Sequence, residues 1–234
     1  MGAGGIGAAI VKKIAQEEAK VAFTYVHAEE KAQKVVSEMK ALGQQGVAIR
    51  ADSGNPGEIT EAVEQTIAYF GQLDILVNNA GIFPAGPPEA VTLEELNHTL
   101  DVNVRGVFIT TQTALKYLKE GGRIISIGSS FAYHVPKPDF SLYSMTKSAL
   151  IGFTKGLARD IGSRKITVNA VDPGPINTDM SSSDGPNAEK IKSLLALDHF
   201  GEGEDIAATV AHLAGESGRF ITGTCVAVDG GFGA

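Results

Sequence analysis

Short runs of aliphatic residues recur along this chain with longer amphipathic stretches between them, and that alternation constrains the fold more than any other feature. The runs "KVAFTY" (20–25), "GVAIRAD" (46–52), "LDILVNNAG" (73–81), "RIISIGSS" (123–130), "ITVNAVDPG" (166–174) and "GTCVAVDGG" (223–231) read as strands. Their Val/Ile/Leu character is continuous rather than alternating, as parallel strands covered on both faces require. Helical patterns fill the intervals at 28–43, 56–71, 93–122 (one helix or two), 141–162 and 204–215, with Pro56 near one start and Gly43 and Gly71 at two ends. Repeated strand–helix units with right-handed crossovers predict an α/β fold, a doubly wound parallel sheet with helices on both faces. No Gly/Ser/Pro linker divides the 234 residues, so residues 1–234 are expected to form one domain.

Ligands of such sheets sit at the carboxyl ends of the strands. The polar signals gather there: "NNAG" follows Val77, "GSS" follows Ile127 and "DPGPINT" follows Val171. The opening "MGAGGIGAAI" is a glycine cluster leading into a helix start. Such turns cradle anions, because backbone N–H groups and the helix dipole converge on a phosphate. Taken alone, a glycine run also fits a flexible tag-like terminus.

Composition narrows the classes. The net charge is -7 and the basic residues are scattered, which argues against a nucleic-acid surface. The single cysteine, Cys225, excludes an internal disulfide and fits a reducing compartment. No apolar stretch approaches the ~18 residues of a membrane span and no signal-peptide pattern is present, so a cytoplasmic protein without a membrane partner is expected. His27, His98, His134, His199 and His212 have no metal-ligand spacing, and no metal is expected.

Tyr143 and Lys147 in "YSMTK" stand four apart on a helix, hence on one face. A phenol with a pKa near ~10 works poorly as an acid–base group at neutral pH unless a neighbouring ammonium stabilises its phenolate. Lys147 could supply that charge, although such a pair alone is usually surface packing. Ser129 at a strand end and Asn103 in a helical stretch are suitable polar groups for a carbonyl oxygen and a water. Tyr133 and His134 follow the serine and either face a substrate or shape a loop.

"GGIG", "NNAG", "NVRG", "IGSS", "YSMTK" and "DPGPINT" occur in an order and spacing that resemble the short-chain dehydrogenase/reductase family, most closely its 3-oxoacyl-carrier-protein reductase branch. The resemblance covers essentially the whole chain and implies a Rossmann-type sheet. It implies Tyr143 as general acid and Lys147 as the group that lowers the tyrosine pKa and hydrogen-bonds the nicotinamide ribose. Asn103 would hold a water of the proton relay. Ser129, fourteen before Tyr143, matches the catalytic serine; a spacing of thirteen would select Ser130 instead. Ser129 is preferred because the strand fixes its position while the following loop can vary in length.

The resemblance also implies a dinucleotide site. Gly5, Ile6 and Gly7 match the pyrophosphate turn. Asp52 matches the acid near the adenine amine, with Ser53 beside it, though Asp52 alone could equally cap a helix. Asn79, Ala80 and Gly81 would line the adenine ribose, and Pro173, Gly174, Ile176 and Thr178 would shape the nicotinamide site. A carboxylate at the end of the second strand would bind the ribose 2′-OH and repel a 2′-phosphate. Tyr25 stands there, so NADP(H) is favoured over NAD(H), although Gly4 occupies the turn position where an Arg or Lys often helps. The implied activity is hydride transfer between nicotinamide and a carbonyl or alcohol substrate. The alternative is a nucleotide-binding regulatory module with weak reductase activity.

Two further expectations follow from the resemblance. A homo-oligomer, specifically a tetramer, is implied, and Val107, Phe108, Leu115, Leu150, Phe153 and Leu157 place apolar groups on more than one helix face. Residues 180–201 fall where the family has a mobile substrate lid. There is one departure: ending the Gly-x-x-x-Gly-x-Gly pattern at Gly7 puts Met1 at its first glycine, so the first, central strand would be absent from this chain. The segments 20–25 and 73–79 would then carry unpaired inner edges. Each buried unpaired backbone group costs ~1–3 kcal/mol, and several would consume an ordinary stability margin.

Overall fold

Complete burial selects the middle of the sheet. The computed structural model of the chain describes residues 5–178 and 183–234. Every residue of Arg123–Ile127 and of Thr167–Pro173 is buried, and these two strands pair in parallel with Ile125 opposite Asn169 and Ile127 opposite Val171. Numbered along the chain, the strands are β1 (Val21–Tyr25), β2 (Gly46–Arg50), β3 (Ile75–Asn78), β4 (Arg123–Ile127), β5 (Thr167–Pro173) and β6 (Cys225–Val228). All pairings are parallel, and they fall into two sheets, β1–β2 and β3–β4–β5–β6.

The helices are α1 (Gly5–Gln16), α2 (Glu29–Ala41), α3 (Pro56–Phe70), α4 (Leu93–Leu100), α5 (Gly106–Ala114), α6 (Ser141–Ile161), α7 (Ala188–Lys192) and α8 (Gly203–Ala214). On one face, Ile10 and Ile14 of α1 and Ile206, Val210 and Leu213 of α8 cluster with Ile125, Ile127 and Val171. On the other face, Ala114, Ala158 and Ile161 pack on Ile124 and Val168. Side chains of adjacent strand residues point to opposite faces, so continuous apolar strands are what a sheet covered twice demands. Local chemistry sets the helix ends. The Asn55 side chain accepts from the N–H groups of Gly57 and Glu58, Pro56 follows, and Gly71 closes α3 in the left-handed conformation at φ 79°.

The expected absence of the central strand has a direct counterpart. Among the described residues β1 pairs with β2 alone and β3 with β4 alone, and residues of both β1 and β3 line a cavity of about 580 Å³. Val21–Thr24 and Ile75–Asn78 form two of its walls; Ile10 and Val11 of α1, Val63 of α3 and Val107 of α5 form the others. Helices on both faces therefore cover a slot with the outline of one strand. This is also why β1 and β3 are only partly buried where the aliphatic pattern predicted burial throughout.

Candidate active site

The carboxyl ends of β1, β3, β4 and β5 open into a cleft of about 830 Å³. Five segments meet there: the start of α1, residues 25–28, residues 79–83, residues 127–129 and residues 173–176 with Thr178. Two glycines let backbone come close. Gly5 opens α1 at φ 52°, and a Cβ on it would lie 3.2 Å from the Thr178 methyl. A Cβ on Gly174 would lie 2.6 Å from the Asp229 Cα, so no side chain fits at that turn.

α6 carries Tyr143 and Lys147, and hydrogen bonds clamp it to the loop after β4. The Ser144 hydroxyl donates to the Phe131 carbonyl (2.7 Å) and the Ser148 hydroxyl to the Ala132 carbonyl (3.0 Å). This sets Tyr143 beside Ser129, and both line the cleft. Ser130 differs: it begins a short 3₁₀ turn, is 2% exposed, does not line the cleft and leaves its hydroxyl unpartnered. Lys147 is buried under the tyrosine, its ammonium donating to the Ile127 carbonyl at 2.9 Å and lying 5.8 Å from the Tyr143 ring centroid.

Burial governs how these groups hold protons. Desolvation pushes Lys147 down to about 8, against an opposing pull from Asp172, so the ammonium is retained at neutral pH. Desolvation raises Tyr143 above its ordinary value; Ser129 works against the rise and Asp172 adds to it. The lowering of the phenol that the resemblance implies for Lys147 does not set the direction of the shift in this structure. The ammonium is directed at a backbone carbonyl rather than at the phenol oxygen. A phenol held in its protonated form is suited to donating a proton.

Asn103 sits in a one-turn π-helix, Asp101–Arg105, between α4 and α5; such bulges recur at functional sites. Its side chain is fully committed: Oδ1 accepts from the Ile82 N–H (2.9 Å), and Nδ2 donates to the Ile82 carbonyl (2.9 Å) and the Thr146 hydroxyl (3.1 Å). It thereby ties the loop after β3 to α6 rather than lining the cleft. Gly5, Ile6, Gly7, Tyr25, Asn79, Gly81, Pro173, Gly174, Ile176 and Thr178 all line the cleft as expected.

Three of the expected cofactor residues do not. The Asp52 carboxylate turns back to the Gly54 N–H at 2.8 Å, capping its own loop, while Ser53 and Ala80 line the slot between β1 and β3. Gly4 and part of the expected lid, 179–182, lie outside the described residues. The remainder of the lid includes α7, from which Ile191 and neighbouring Leu194 reach the cleft. Tyr133 and His134 are both exposed, with the His134 ring 5.7 Å from that of Phe232.

Two features were not anticipated from the sequence. An aromatic wall surrounds the tyrosine: Phe83 lies edge-on to Tyr143 at 4.5 Å and stacks on Phe140 at 5.0 Å, and Phe131 stacks on Phe232 at 5.9 Å. Phe83 and Phe232 are far in sequence from the 131–143 stretch they pack against, and no spacing links them. The second feature is cationic. His27 and Lys31 line the cleft next to Tyr25, one on the loop after β1 and one on the first turn of α2. Lys31 could have been found by asking which early α2 position faces the end of β1. Among the described residues no cluster of His, Cys, Asp or Glu could hold a metal, and no helix is long and apolar enough to cross a membrane.

A glycine-opened helix, a Tyr–Lys pair on one helix and a serine at the adjoining strand end meet at one cleft of a doubly wound parallel α/β fold. A family model described as Enoyl-(Acyl carrier protein) reductase matches residues 2–233. A versicolorin reductase of Emericella nidulans is 40% identical, the match covering 98% of this chain and 92% of its own. The cyclic-di-GMP-binding biofilm dispersal mediator protein of Escherichia coli is 37% identical, covering 100% and 94% respectively. The crystal structure of a short chain dehydrogenase from Burkholderia cenocepacia in complex with NADP is similar with a TM-score of 0.98 at 49% identity, covering 100% of this chain and 95% of that one. This chain belongs to the short-chain dehydrogenase/reductase family.

Proposed function

We propose that this protein is an NADP(H)-dependent carbonyl reductase in which Tyr143 delivers the proton to the nascent alkoxide. The observation that carries this reading is the Tyr143 phenol beside Ser129, both lining the cleft, with the Lys147 ammonium buried against the Ile127 carbonyl. When bound, the nicotinamide supplies or accepts the hydride. Ser129 holds the substrate oxygen, and Tyr143 transfers its proton in the same step. Lys147 fixes the charge under the phenol.

The cleft fits a dinucleotide. Its volume lies within the usual range for cofactor sites. Gly5 and Gly7 leave the start of α1 open to a pyrophosphate, and the Lys31 ammonium, with the His27 ring beside it, offers hydrogen-bond donors to a 2′-phosphate where Tyr25 replaces a carboxylate. The aromatic wall favours a flat apolar ketone. The test is NADPH consumption with α-tetralone beside a small aliphatic ketone. Turnover of α-tetralone with the higher kcat/KM is expected; NADPH binding without turnover of any carbonyl would favour the regulatory alternative, for which the cyclic-di-GMP-binding relative is the specific support.

Ser129→Ala should damage turnover far more than Ser130→Ala, because only Ser129 lines the cleft beside Tyr143. Steady-state kinetics of the two variants check this, and the reverse order would reassign the serine.

A homo-oligomer, read as a tetramer, is supported by an apolar outer stripe. Phe108 (53% exposed) meets Phe153 at 5.6 Å, and Met145 (50% exposed) lies on the same helix as the open Gly152 and Gly156. Val107 and Leu150 belong instead to the buried interior, and Leu115 and Leu157 pack against it. Light scattering at micromolar concentration should give a multiple of 24.4 kDa; a clean monomer mass would remove the claim.

A further inference from the structure

One buried carboxylate has no part in the chemistry described so far. Asp172, the penultimate residue of β5, is 2% exposed, and its Oδ2 has no hydrogen-bond partner. It stands across the β4–β5 register from the residues that shape the site: Val171 pairs with Ile127, whose carbonyl holds the Lys147 ammonium, and the Gly128 N–H donates to the Val171 carbonyl at 2.8 Å. The space for the carboxylate exists because residue 128 is glycine. A Cβ there would lie 1.8 Å from Asp172 Oδ1. A buried carboxyl group is thus accommodated beside the end of β4, where Gly128 leaves room for it.

We infer that Asp172 is a positioning residue of charge, whose buried carboxylate biases the Tyr143–Lys147 pair toward its proton-holding state and so favours carbonyl reduction over alcohol oxidation. The inference rests on the reading of Tyr143 as the proton donor. Around the carboxylate stand Lys147 and Tyr143 from α6, Tyr133 from the loop after β4, Cys225 on β6 and Asp229 beyond it. Lys155 reaches Cys225 from α6. No ion pair consumes the charge, since among the described residues Lys147 meets a carbonyl rather than a carboxylate.

The sign is the same whichever member of the pair titrates. A carboxylate raises the proton affinity of both Tyr143 and Lys147, in the same direction for a neutral acid and for a cation. Burial raises the proton affinity of Asp172 itself, while Tyr133, the Ser129 backbone N–H and Lys147 hold it down. Reduction needs the proton on Tyr143, and oxidation needs it gone. Removing the charge should therefore move the alkaline limb of reduction and the acid limb of oxidation to lower pH together.

The experiment measures kcat against pH for α-tetralone with NADPH and for α-tetralol with NADP⁺, in wild type, Asp172→Asn and Asp172→Ser. Both limbs should move down by at least about half a pH unit in each variant, a roughly threefold change in the protonation ratio. The two variants differ in volume and share neutrality, so a packing effect would separate them and a charge effect would not. Limbs that stay in place or move up in folded variants overturn the inference. So does loss of cooperative melting and NADPH binding in both variants, which would make Asp172 a folding residue. Tyr143→Phe, run beside them, separates the readings. If it retains turnover, the proton-donor reading falls and takes this one with it; if it is inactive and the limbs are unmoved, only the Asp172 inference falls.

Discussion

Tyr143→Phe should lower turnover by at least about 100-fold, the scale on which a positioned general acid contributes, while NADPH affinity changes little. The substitution removes one hydroxyl and keeps the ring. That ring lies edge-on to Phe83 at 4.5 Å and 5.9 Å from Phe131, so the aromatic wall keeps its packing. The Lys147 ammonium bonds the Ile127 carbonyl rather than the phenol, so its position does not depend on the lost group. What disappears is the proton that burial keeps on the oxygen. Single-turnover measurement of the chemical step, with NADPH fluorescence titration for binding, checks both halves. A variant turning over at near-normal rate would remove Tyr143 from the mechanism.

Tyr25→Asp should move the cofactor preference, shifting the ratio of kcat/KM for NADPH to that for NADH toward NADH by at least about tenfold, or ~1.4 kcal/mol. A carboxylate at this position repels a 2′-phosphate and accepts from a ribose 2′-OH. The structure adds a cost that the sequence did not suggest. Tyr25 is only 8% exposed and packs with Phe23, Val35 and Met39 against α2, so losing the ring destabilises the fold by an amount on the order of 3 kcal/mol. The ratio of the two kcat/KM values is insensitive to the folded fraction, which cancels between cofactors. Lys31→Glu, on the exposed start of α2, should shift the same ratio in the same direction without that loss. Equal wild-type kcat/KM for the two cofactors would refute the assignment.

Much of the molecule was legible because its information is local. Each aliphatic run became a strand within a few residues of its expected bounds, since continuous apolar character has no other stable use between two helical layers. Pro56 and Gly71 marked a helix whose ends depend on local chain geometry. The Tyr143–Lys147 spacing reads directly, because residues four apart share a helix face. Asp52 shows the limit of such reading: a carboxylate after a strand looks the same whether it meets a ligand or its own Gly54 N–H, and here it meets the latter.

The amino-acid sequence by itself determined the order of strands and helices, the side of the sheet on which ligands gather, and the residue types available there. Tertiary structure decided which of them act together. It separated Ser129, lining the cleft, from Ser130, turned away from it, although they are neighbours in sequence. It assembled Phe83, Phe131, Phe140 and Phe232 into one wall from distant segments, and it set Asp172 against Gly128 across two strands. It also set burial of Tyr143 beside Asp172, both of which raise the phenol's proton affinity. The physical reason is common to all of these: desolvation and side-chain contact depend on what the folded chain brings within a few ångströms, and spacing along the sequence specifies that only within a single helix or strand.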